Sequence, residues 1–226
     1  MAEENLSDKI KNINLEKVDQ PESAGEKKPQ KEKKAKQAPP PPAPPAPITP
    51  ARVDFRVGHI LKAIKHPDAD SLYVSTIDLK EDEPRTVVSG LVKYIPLEEM
   101  QNRKVVCICN LKPAVMRGVK SYAMVLAASP KGGEKSVVEL VIPPPDAEVG
   151  SKLWFEGYDE GEPDTQLPPK KKIFETIQPQ ITTTDALEVV YIEKPEGDDE
   201  SSPKVRLLIG ETGVCKVPTL KNANVS

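Results

Sequence analysis

The sequence predicts a mainly β protein: a small five-stranded barrel over residues 51–154, a β-rich extension over 155–226 packed on it, and a disordered tail over 1–50. Three observations carry this. Period-two apolar segments recur between turn signals after residue 52, one short helical segment interrupts them, and the first fifty residues lack the large apolar groups a core needs.

Alternation through Val53, Phe55 and Val57, continuing less regularly to Ile60 and Ile64, reads as a long first strand with its bend at Gly58. Ser71 to Leu79 and Arg85 to Ser89 are β-branched and apolar, and Glu81-Asp82-Glu83-Pro84 between them is turn chemistry, so they form a hairpin. Pro96 to Gln101 starts on Pro with Glu98 and Glu99 in the first turn, where acids suit the positive end of a helix dipole. Arg103 to Cys109, Lys120 to Ala127 and Ser136 to Ile142 are further strands, the last two separated by Pro130-Lys131-Gly132-Gly133. A helix between the third and fourth strands of five is the pattern of an OB-fold, a small Greek-key barrel. Beyond Trp154, Pro169 to Ile177 places Ile173, Phe174 and Ile177 on one helical side. Leu187 to Ile192, Val205 to Ile209 and Val214 to Val217 are strands, and Glu196 to Pro203 is a polar loop.

The net charge of −3 conceals a division, with +1 in residues 1–50, +2 in 51–154 and −6 in 155–226. No run of 18 apolar residues exists and the acidic start lacks an apolar signal core, so neither a membrane anchor nor a secretory signal is predicted. Three cysteines, two of them alternating as Cys107 and Cys109, predict reduced thiols in a cytoplasmic protein.

Residues 105–128 carry the candidate site. An apolar strand, the turn Asn110-Leu111-Lys112-Pro113 and a second apolar strand are read as presenting Arg117, Ser121 and Met124 outward in one basic groove. Lys112 and Arg117 suit phosphate, and Asn110 and Ser121 suit base edges or ribose hydroxyls, which favours RNA over a small substrate. Met124 is either core or an adaptable thioether against an unstacked base. Ser89-Gly90 is either a tight strand end or a ribose contact. The tail run Lys27, Lys28, Lys31, Lys33, Lys34 and Lys36 carries +5 with Glu32 and serves either auxiliary phosphate contact, solvation or a nuclear address. Eight prolines in residues 39–50 form a polyproline II spacer behind it. His66, Asp68 and Asp70 have metal-ligand chemistry, but Pro67 and the Asx turns make a turn the better reading, so no metal site and no cofactor is predicted. His59 and His66 are the sole histidines and no nucleophile elbow or phosphate loop accompanies them, so no catalysis is predicted.

Four ordered motifs resemble a known family. His66-Pro67-Asp68-Ala69-Asp70-Ser71-Leu72-Tyr73-Val74, then 85–92, then Asn110-Leu111-Lys112-Pro113-Ala114 with Met116-Arg117-Gly118 and 121–124 are similar to the tRNA-binding domain of endothelial-monocyte-activating polypeptide II. The likeness is dense over 52–154 and continues through 168–179 into the extension, as in eukaryotic members such as the Arc-type synthetase cofactor. It implies an OB-fold that binds tRNA by shape, without catalysis, in a cofactor that delivers or retains tRNA for aminoacyl-tRNA synthetases. The candidate tRNA contacts are Ser89, Lys93, Asn110, Lys112, Arg117, Ser121 and Met124. The likeness also implies a monomer whose C-terminal half mimics the second subunit of bacterial homodimers. Arc-type cofactors carry a transferase-like docking domain, and no segment of that length precedes Pro39 here. An adaptor or released cytokine-like signalling role is the alternative function.

Overall fold

The computed structural model describes residues 47–132, 137–194 and 202–226, and strands make up most of its regular structure. The expected tail and its lysines lie outside the described residues. The strands are β1 (Phe55–His66), β2 (Ala69–Asp78), β3 (Arg85–Ser89), β4 (Arg103–Ile108), β5 (Ala114–Met116), β6 (Val119–Ser121), β7 (Met124–Val125), β8 (Ala127–Ser129), β9 (Glu139–Leu140) and β10 (Lys152–Phe155). After α1 (Ile173–Ile177), the one α-helix among the described residues, come β11 (Ile181–Thr183), β12 (Val189–Glu193), β13 (Lys204–Gly210), β14 (Gly213–Val214) and β15 (Asn224–Val225). The helix expected between β3 and β4 is one 3-10 turn, Leu97–Met100, anchored by buried Met100.

In the barrel, β1 pairs antiparallel with both β2 and β4, β2 with β3, and β4 with β7. Strand β4 shows why its sequence is a continuous apolar run rather than an alternating one. Val105 and Cys107 face the barrel interior, whereas Val106 and Ile108 join a second core shared with the extension, so both faces are buried. Strand β1 divides its length between the same two cores. Phe55 and Val57 join the second core and Ile60 the barrel interior, until a bulge between Ile60 and Lys62 shifts the phase and Ala63 continues inward. The pairing of β1 with β2 is irregular at two places, between Ile60 and Lys62, where Leu61 is the extra residue, and between Lys65 and His66. Gly58 serves close packing, since a Cβ there would stand 2.8 Å from Ile77 Cγ2 and 2.9 Å from Cys107 Sγ.

The segment expected as one strand over Lys120 to Ala127 is divided into three short strands. Strand β6 pairs with β5, β7 with β4, and β8 with β9 and β15. The expected strand over Ser136 to Ile142 is reduced to β9, and residues 133–136 lie outside the description. The barrel ladder does not close between β3 and this segment. The seam is bridged by Tyr122 N donating to Thr86 O at 2.9 Å and Val88 N donating to Ser121 Oγ at 3.0 Å.

The extension continues the barrel's sheet. Strand β10 pairs with β1 on one side and β13 on the other, then β12, β11 and β15 follow, and β15 returns to β8. The amphipathic side expected of α1 is buried, with Ile173, Phe174 and Ile177 all in the second core. Phe55 meets Phe155 edge-on at 5.6 Å, and Tyr191 lies 5.7 Å from Phe155. One apolar core thus spans residue 154, because strands on either side of it share a sheet face.

Candidate nucleic-acid interface

A groove of 610 Å³ opens where the barrel seam meets α1. Its floor and walls include Leu91, Tyr94, Met116, Met124 and Phe174. Of the seven expected barrel residues, the groove gathers Ser89, Lys112, Ser121 and Met124. Lys112 is exposed at the rim, Met124 is half-buried, and Ser89 ends β3. The Ser89 Oγ is buried and has no hydrogen-bond partner among the described residues.

Two expected contacts point inward. Asn110 is 4% exposed, its Oδ1 accepts Asp54 N–H at 3.0 Å, and its Nδ2 donates to Arg52 O and Asp164 O, each at 2.8 Å. Every one of those atoms has a protein partner, so Asn110 fastens the strand leading into β1 and the loop around residue 164 to the end of β4. It borders a separate polar cleft of 280 Å³ with Arg56, Arg85 and Lys152 rather than the groove. Ser121, expected outward, is 6% exposed, and besides accepting from Val88 it donates to Ala123 O at 2.9 Å. The expectation that these two side chains face a ligand is corrected by the need to satisfy backbone groups where strands separate.

Arg117 stands at the tip of the β5–β6 hairpin beside, not within, the groove. The hairpin turns on Arg117-Gly118 with φ of 49° and 87°, the double left-handed geometry of a type I′ turn. Lys93 is exposed on the segment after β3, next to groove-lining Tyr94, and does not line the groove itself. On the outer hairpin strand, Lys120 Nζ lies 5.0 Å over the ring of Tyr122, which is 42% exposed. Sequence reading missed Tyr122 and the wall supplied by Phe174, Glu175 and Gln178 of the extension. Three exposed lysines, Lys170, Lys171 and Lys172, precede that wall. They stand some sixty positions from the barrel motif, so no local pattern in 105–128 reports them.

Beneath the seam, Arg85 acts as a cross-link. Its Nη1 donates to Cys109 O at 2.7 Å and Tyr122 O at 3.0 Å, while Nε and Nη2 donate to the Glu81 carboxylate at 2.7 and 2.6 Å. That pairing holds the Glu81 carboxyl below its ordinary value, against the opposing pull of burial. Burial pushes the Cys109 thiol up to about 12, so it is a packed thiol rather than a nucleophile. At the β1–β2 turn, His66 Nδ1 accepts Asp68 N–H at 3.0 Å. Among the described residues no group of three or more His, Cys, Asp or Glu is placed to hold a metal ion, and no helix is long and apolar enough to cross a membrane.

Residues 55–152 match the family described as "Putative tRNA binding domain". That segment of the chain belongs to the tRNA-binding domain family. Within that family the chain is 53% identical over 180 residues to the tRNA-aminoacylation cofactor arc1 of Schizosaccharomyces pombe, covering 78% of this chain and 38% of that protein. It is 52% identical over 178 residues to the cytoplasmic methionine–tRNA ligase of Arabidopsis thaliana, covering 79% of this chain and 20% of that one. The aminoacyl tRNA synthase complex-interacting multifunctional protein 1 of Mus musculus is 47% identical over 178 residues, 79% of this chain and 52% of its own. The chain therefore spans about half or less of these relatives. The crystal structure of the C-terminal domain of Plasmodium vivax p43 superposes with a TM-score of 0.67 at 29% identity, covering 79% of this chain and 99% of that one. That superposition covers more of this chain than the barrel alone, so the Plasmodium vivax domain shares the architecture of barrel and extension.

Proposed function

We propose that this chain is a non-catalytic, cytoplasmic tRNA-binding cofactor that holds tRNA for aminoacyl-tRNA synthetases. The observation that carries the reading is the groove at the barrel seam with cations around it: Lys112 on its rim, Arg117 and Lys120 on the adjoining hairpin, and Lys93 and Lys170 to Lys172 on flanking segments. Exposed cations around a concave face meet phosphates along a folded RNA, while the neutral floor leaves selection to shape. Arg117 adds support, since a left-handed turn position is sterically easier for Asn or Gly than for Arg. The assigned contacts are Ser89, Lys93, Lys112, Arg117 and Met124, with the tail lysines Lys27, Lys28, Lys31, Lys33, Lys34 and Lys36 as a non-specific arm. The relatives that are methionine–tRNA ligases are matched over only 20% of their length, which supports a binding role here rather than the ligase reaction. The extension shares one sheet and one core with the barrel, and this favours a monomer in which the second half substitutes for a second subunit.

The test is a salt titration of tRNA binding. Log affinity falls linearly with log salt, at about 0.7 to 0.9 per phosphate neutralised. Deleting residues 1–38 reduces that slope and keeps the preference for tRNA over duplex DNA. A salt-independent affinity, or loss of the preference on deletion, overturns the reading.

A further inference from the structure

We propose that the groove receives a single unstacked base of the bound RNA, so that recognition includes one flipped nucleotide as well as backbone shape. This rests on the tRNA-binding reading. The volume of 610 Å³ lies within the range of about 300 to 1,000 Å³ typical of small-ligand sites. A cleft meant only for phosphates needs neither this depth nor an apolar floor. The lining supplies what a base face uses: the rings of Tyr94 and Tyr122 for stacking, and Met116 and Met124, whose thioethers adapt to an irregular planar surface. It also supplies one polar group without an assignment in the fold. Ser89 lines the groove, and its Oγ, shielded from solvent, has no partner among the described residues, although buried hydroxyls are ordinarily bonded. A hydroxyl both donates and accepts, so once an entering base displaces the side chains that cover it, it can meet a base edge of either polarity.

Charge complementarity selects a nucleotide over an apolar peptide as the occupant. Lys112 lies on the rim and Arg117, Lys120 and Lys170 to Lys172 flank it, placing cations for the phosphates on either side of an inserted base. Glu175 is the one acidic side chain in the lining.

The experiment uses the full chain and single-stranded RNA trinucleotides bearing a central 2-aminopurine or a central abasic residue, with intact tRNA measured in parallel. The base-bearing probe is expected to bind about tenfold tighter than the abasic one, the scale of one stacked base, with a change in 2-aminopurine fluorescence. Ser89→Ala is expected to leave the melting temperature unchanged, because its hydroxyl bonds nothing, and to weaken the probe several-fold. Ala114→Trp, at an exposed lining position on β5, is expected to fill the groove and abolish the difference between the probes. Equal binding of the two probes while tRNA still binds overturns the base pocket alone and leaves the tRNA reading intact. Loss of binding to both tRNA and probes overturns both. Displacement of the probe by a Met- and Leu-rich peptide at lower concentration than by unlabelled RNA overturns the proposal in favour of a protein ligand.

Discussion

Replacing Asn110 by Ala separates two roles that one polar residue can have. Three hydrogen bonds disappear, from Asp54 N at 3.0 Å and to Arg52 O and Asp164 O at 2.8 Å, beside the polar cleft that Asp54 and Asp164 also line. At about 0.5 to 1.5 kcal/mol net for each, the loss is roughly 2 to 4 kcal/mol. For a folded unit of this size each kcal/mol moves the melting temperature by about 2 to 4 °C, so a fall on the order of 10 °C is expected. Asn110→Asp is expected to be at least as damaging, because it sets carboxylate oxygens against the two carbonyls that the amide served. Thermal unfolding by circular dichroism measures the fall, and tRNA binding well below the transition measures the alternative. The reasoning predicts lowered stability with affinity changed less than about twofold. An unchanged melting temperature with affinity lost tenfold would make Asn110 an RNA contact and refute the assignment.

Ser121→Ala orphans the buried Val88 N–H at the barrel seam and is expected to cost about 1 to 3 kcal/mol in urea unfolding, with an unchanged slope. Lys112→Ala and Arg117→Ala are both exposed changes, expected to leave stability within about 0.5 kcal/mol while each lowers the salt slope of tRNA binding by about 0.7 to 0.9. Glu81 has a lowered pKa when folded, so its contribution is complete above the ordinary value of 4.5 and is lost as pH falls through the lower folded value. Stability of the wild type is therefore expected to decline on acidification in that window. Glu81→Gln is expected to show a shallower decline, and identical acid profiles for the two would remove the Arg85–Glu81 pair from the explanation.

Much of this protein is legible in the linear chain because local chemistry specified it. The β2–β3 turn is announced by Glu81 to Pro84, the boundaries of β3 fall at Arg85 and Ser89 as its β-branched, apolar composition predicts, and α1 buries the same three apolar residues that its spacing aligns. The motifs around 66–74, 85–92 and 110–124 were sufficient to point to the tRNA-binding domain family. The cationic positions Lys112 and Arg117 are also exposed, as read, since a charged side chain in a turn has no cheaper location than solvent.

The tertiary structure alone decided which polar residues face inward. Asn110 and Ser121 look like ligands in a list of residues, yet both are used to satisfy backbone groups where one strand ends or a ladder fails to close. Their sequence neighbours carry no record of Asp54, Asp164 or Val88, which come from elsewhere in the chain. The same holds for the bulge at Leu61, which is set by register against β2, and for the groove wall at Phe174, brought against the seam by the second core. Residue type and period fix what a segment can form, whereas a site assembled across long sequence separations exists only once the cores have packed.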